Sequence, residues 1–145
     1  MSKIMKRLVI IAISLLAISL TNNDGRNRTV DIEQFITKMY NEKLYEDYDF
    51  LQKYCSPMLL KKLQDAYPYD SDDVAYATWL FRSGQQDDRP GSDGKSVMLE
   101  VKADGDWYVY TALDMGWEFT NRIKVICGED GFIIEDIVSV EGDGI

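Results

Sequence analysis

The sequence predicts an α+β domain: N-terminal helices packed on one face of a curved antiparallel sheet of about four strands. Two observations carry that expectation. Up to about residue 66 the apolar residues recur at three- and four-residue spacing, whereas from Lys95 onward they alternate every second residue. Between the two halves lies a run rich in Gly, Asp, Ser and Pro, residues 83–94, which reads as a loop.

Before the domain comes a leader. Lys3, Lys6 and Arg7 precede Leu8–Leu20, a 13-residue run that is apolar except for Ser14 and Ser19. A helix that spans a bilayer needs about 20 apolar residues, so the run fits a secretory signal peptide over residues 1–20 better than an anchor. Ala17 and Ser19 place small residues where a signal peptidase reads them, which predicts cleavage after Ser19. No cysteine follows the run, so lipidation there is excluded. The polar stretch 21–29 is expected as a flexible lead-in, and residues 30–145 as a single domain.

The helical half has three segments. Asp31 is a candidate cap with Gln34 as its capping-box partner, and Ile32, Phe35, Ile36, Met39 and Tyr40 form one apolar stripe. Phe50, Leu51, Tyr54 and Cys55 suggest a second, short helix. Ser56-Pro57 then reads as cap and first helical residue of a third, with Met58, Leu59, Leu60, Leu63 and Ala66 inward. Asp70, Asp72 and Asp73 precede the apolar stretch Val74–Phe81, a further helix candidate. An EF-hand is excluded because Val74 falls at the fifth loop position counted from Asp70 and no glycine follows at the sixth.

In the sheet half, Val97, Leu99 and Val101 define one face of the first strand. Asp104-Gly105-Asp106 turns the chain into a second strand from Trp107 to Leu113. Past Asp114-Met115-Gly116, a long strand places Trp117, Phe119, Ile123, Val125 and Cys127 on one face, opposite Glu118, Thr120, Arg122 and Lys124. Asn121 breaks that apolar face and marks a bulge. Gly128-Glu129-Asp130-Gly131 closes the last hairpin onto Phe132–Val140, where strict alternation puts Asp136 on the same face as Phe132 and Ile134.

The chemistry is bounded by what is missing. Histidine is absent, so no Ser-His-Asp triad exists, and two well-separated cysteines do not make a zinc site; no cofactor or metal is implied. Removing the leader leaves 13 basic against 25 acidic residues, a net charge near −12. Such a surface repels phosphate backbones and anionic headgroups, which argues against nucleic acid and against stable membrane association after cleavage. Cys55 and Cys127, 72 residues apart, form either a disulfide worth about 4 kcal/mol in the chain-entropy model or two inert buried thiols.

Three helices followed by a meander, the closing run Ile123–Ile137 (IKVICGEDGFIIEDI) and the junction Phe50–Leu63 resemble the cone-shaped nuclear transport factor 2-like superfamily, which includes ketosteroid isomerase. The chain also resembles exported domains of unknown function from gut bacteria, with Phe132 where such domains more often carry tryptophan. The resemblance covers roughly residues 30–140. It implies a cystatin-like fold, a periplasmic or cell-surface location and a concave sheet face that serves some members as a pocket. The residues placed to line such a pocket are Trp79, Tyr108, Tyr110, Asp114, Trp117 and Asp136. The leading expectation is a noncatalytic module for an unknown small ligand or protein. An isomerase or lyase would use Asp114 or Asp136 as base with Tyr108 or Tyr110 as hydroxyl donor. A third reading is an inhibitor or immunity-type protein whose acidic face covers a basic partner.

Overall fold

The computed structural model describes residues 25–66 and 80–142. The leader, Trp79 and the Asp70–Asp73 cluster lie outside them. Contacts divide the chain into two compact units, residues 1–31 and 32–145. Of the first, residues 25–31 are helical and belong to α1, residues 25–41. The helix therefore starts six residues before the expected cap at Asp31, inside the expected lead-in. Adding a turn to a nucleated helix costs little, and Arg26 and Arg28 are good helix formers; Thr29 Oγ1 also donates to Gly25 O at 3.1 Å.

Within the second unit, α1 buries Ile32, Ile36, Met39 and Tyr40 at helical spacing. A 3-10 turn, Leu44–Glu46, leads into α2, Tyr48–Tyr54. Asp47 caps α2: its carboxylate accepts from Asp49 N at 2.8 Å and Phe50 N at 3.2 Å. α3, Pro57–Ala66, starts as expected, with Ser56 Oγ accepting from Leu59 N at 3.1 Å. Leu59 and Leu63, one helical turn apart, face the core, but Met58 lies off that stripe and is 83% exposed.

Four strands form one antiparallel meander: β1 Val97–Asp104, β2 Trp107–Asp114, β3 Trp117–Gly128 and β4 Gly131–Gly142. In the β2–β3 turn both Met115 and Gly116 adopt positive φ, at 50° and 84°, as a two-residue hairpin twisted with its strands requires. A Cβ at Gly116 would also collide with Ser92 Oγ, so only glycine fits against the 83–94 loop.

Three register shifts bend this sheet, and each leaves an extra residue in an edge strand: Leu99 in β1, Glu135 and Val140 in β4. They overturn two expectations. With Leu99 bulged out and half exposed, Met98 and Val101 supply the core face of β1. Glu135 occupies an inserted position between Ile134 and Ile137, both fully buried, so Asp136 pairs with Lys124 on the outer face rather than sharing the face of Ile134. Opposite Asn121 a shift does occur, but the extra residue is Val140 across the ladder, and Asn121 stays in the inward row.

Part of the β4 edge is closed by the α2–α3 junction. Ser56 N donates to Ile134 O at 2.9 Å, and Cys55 forms a parallel bridge with Ile134. Since Ile134 in turn pairs with Val125 of β3, Cys55 lies two strand spacings from the row that carries Cys127, about 10 Å. That exceeds the roughly 7 Å a disulfide bridges. Both thiols are free, Cys55 buried and Cys127 exposed at the strand end.

Candidate functional site

Alternation along β2 and β3 sends Tyr108, Tyr110, Ala112, Asp114, Phe119, Asn121 and Ile123 to the helix-covered face. Around Asp114 that face is filled. Tyr40, Tyr45, Phe81, Tyr110 and Phe119 are each at most 2% exposed and stack in a continuous cluster. Tyr45 lies parallel to Phe81 at 5.7 Å between ring centres, and Tyr110 meets Phe119 edge-on at 6.0 Å.

Into this cluster the segment 80–83 brings backbone polar groups, and the sheet supplies a partner for each. Asn121 Nδ2 donates to Leu80 O at 2.9 Å and to the Tyr110 hydroxyl at 2.9 Å; that hydroxyl donates on to Phe81 O at 3.0 Å. Two backbone carbonyls are thereby satisfied by side chains 29 and 41 residues away. Asp114, 2% exposed, completes the arrangement. Its Oδ1 accepts from Arg82 Nε at 3.0 Å and sits 3.0 Å from Arg82 Nη2. Its Oδ2 accepts from Ser83 Oγ at 2.7 Å and Ser83 N at 3.2 Å. The Tyr40 hydroxyl donates to Leu113 O at 2.6 Å.

The six residues expected to share one pocket therefore separate. Tyr110 and Asp114 meet through the 80–83 segment. Tyr108 is buried on the same face, about 20 Å from Asp114 along the strand. Trp117 pairs with Asp114 across the turn, but its indole N–H goes to Asp87 O at 2.9 Å and its ring lies under Arg89, so it anchors the 83–94 loop. Asp136 is held on the outside by Lys62 Nζ at 2.7 Å. Trp79 is outside the described residues. Arg82, beside Trp79, reads in the sequence as able to reach a pocket and Tyr40 as a core residue of the first stripe; Ser83 carries no signal of its own there, whereas Asn121 does, as a polar residue in an apolar row.

Burial raises the pKa of Tyr40, Tyr45 and Tyr110, and for Tyr40 the Asp114 charge adds to it. Burial also pushes the Cys55 thiol up to about 12. Each keeps its proton when folded at a pH where the unfolded chain, at ordinary values of 9.0 for Cys and 10.0 for Tyr, has lost it. The unfolded chain then binds fewer protons, so the contribution of these four groups to stability is intact below pH 9 and is lost as pH climbs above it. The tyrosinate absorbance of these three residues is expected to appear together with loss of circular dichroism. Full ionisation of all nine tyrosines in a chain that keeps its native spectrum would contradict this.

Shallow grooves open on the surface of the described residues, and two of them bear on binding. One, of about 290 Å³, runs between Met58 and Trp107, and its acids are paired: Glu135 with Lys124 at 3.3 Å, Asp136 with Lys62. The other, of about 310 Å³, lies between the end of α2 and the β3–β4 turn, with Tyr54 and Phe132 as walls and Glu129 and Asp130 on its rim. Among the described residues no group of His, Cys, Asp and Glu gathers as metal ligands, and no helix is long and apolar enough to cross a membrane. Comparison of the chain with protein-family models, with curated proteins and with solved structures found no match.

Proposed function

We propose that this chain is an exported, noncatalytic module that acts by binding a protein, in the periplasm or at the cell surface. Export is supported by the basic and apolar leader, and the order of helices before a meander supports the likeness to nuclear transport factor 2-like domains. The observation that carries the noncatalytic part is the state of Asp114. It is the one buried carboxylate among the described residues, and both of its oxygens are engaged. A general base needs a free lone pair within reach of a substrate proton, and an oxyanion needs a free donor. Here the Tyr40 and Tyr110 hydroxyls already donate to backbone carbonyls. The acidic mature surface favours a basic partner over nucleic acid or anionic lipid.

The competing isomerase reading is tested with a β,γ-unsaturated cyclic ketone, followed by the ultraviolet absorbance of its conjugated isomer. The wild-type protein is expected to match a buffer control. An acceleration of about 100-fold or more that disappears in Asp114→Asn would overturn the noncatalytic reading.

A further inference from the structure

These two grooves among the described residues differ in one respect that selects a ligand. In the groove beside Met58 the carboxylates are neutralised by Lys62 and Lys124. In the groove at the β3–β4 turn, Glu129 and Asp130 make no ion pair or hydrogen bond among the described residues, and both are exposed. Its walls are aromatic and held rigidly from behind. Phe132 packs on Phe35 at 5.1 Å, and Tyr54 packs on Phe35 at 5.2 Å and on Phe50 at 4.7 Å. Aromatic faces flanked by unneutralised carboxylates suit an organic cation, which gains from the ring quadrupole and from both charges. The site already holds one cation of its own: Lys53 Nζ sits 5.1 Å from the centre of the Tyr54 ring.

We infer that the groove formed by Tyr54, Phe132, Glu129 and Asp130 receives an arginine or lysine side chain of a basic partner protein, with Lys53 as the resident cation it displaces. This deepens the binding-module reading and rests on it. The backbone turn at Gly131, with φ of 121°, holds the two acids on the groove rim ahead of Phe132. A net charge near −12 steers a basic partner toward the domain, while the groove decides where one side chain seats.

The test uses the mature chain and a blocked peptide of alternating glycine and arginine, with a second peptide carrying citrulline in place of arginine. Amide chemical shifts of Gly131, Phe132 and Ile133 are followed by NMR. The arginine peptide is expected to shift them to saturation, and the citrulline peptide to leave them in place. Combining Glu129→Gln with Asp130→Asn, both at exposed positions, removes the two charges on the groove rim and should weaken binding about tenfold. Lys53→Gln should tighten it about threefold, an effect that a merely structural lysine would not produce. Equal shifts with citrulline, non-saturating shifts spread over the whole acidic surface, or weaker binding by Lys53→Gln would each overturn the inference. None of these outcomes bears on Asp114, whose ketone assay judges the noncatalytic reading separately.

Discussion

Replacing Asp114 with alanine is expected to lower the unfolding free energy by about 3 kcal/mol, measured by urea denaturation near neutral pH. Breaking a buried ion pair typically costs about 3–5 kcal/mol because one charge is left without its partner. Arg82 keeps 22% of its side chain exposed, so water can recover part of that cost and the expected loss sits at the lower end. Two further donors lose their acceptor as well, the amide and the hydroxyl of Ser83. Ser83→Ala alone should cost about 1 kcal/mol, the net value of one hydrogen bond. Asp114→Ala is also expected to be strongly non-additive with Arg82→Ala, since the two changes delete the same interaction. A loss below about 1 kcal/mol for Asp114→Ala would mean that the pair does not hold the 80–83 segment to the sheet.

Phe119→Ala should have an effect at least as large, about 3–5 kcal/mol, through lost burial and the cavity left behind. Phe119 is 2% exposed and fills the space between Tyr40, at 5.7 Å, and Tyr110, at 6.0 Å. Neither neighbour can collapse into the gap without giving up a hydroxyl hydrogen bond, Tyr40 to Leu113 O or Tyr110 to Phe81 O. Relaxation is therefore limited, and the cavity contribution stays near its upper range. Met58→Ala serves as the contrast. It removes a large apolar side chain from a helix, yet at 83% exposure the change should stay within about 0.5 kcal/mol. Comparable losses for the two variants would place the core differently from the packing described above.

Asp114 and Phe119 also illustrate how unevenly the structure could be read from the residues. Phe119 was legible: it falls in the alternating row Trp117, Phe119, Ile123, Val125, and a single buried face requires that register. Asp114 was legible only as an acid at a strand end. Its partners, Arg82 and Ser83, lie 32 and 31 residues away, and no local pattern in either segment points to the other. Asn121 stood out as a polar residue in an apolar row. The chemical reason, two acceptors delivered by the 80–83 segment, exists only once that segment lies on the sheet. Asp136 shows the opposite error. A strict two-residue period carries it inward, and the one inserted residue, Glu135, carries it outward to Lys62 and Lys124.

Local chemistry was enough for the class of the fold and for most element positions. The stripe Ile32, Ile36, Met39, Tyr40, the Ser56-Pro57 start of α3 and the four-strand meander with its two-residue turns follow from helical period, capping and turn preferences that act within a few residues. Tertiary structure alone decided the bulges at Leu99 and Glu135, which residue is inserted opposite Asn121, the distance between Cys55 and Cys127, and the clasp of Asp114 by Arg82 and Ser83. Strand register and the satisfaction of buried polar groups are settled between segments far apart in the chain. A single-residue shift in either changes which side chains share a face, while leaving every local preference unchanged.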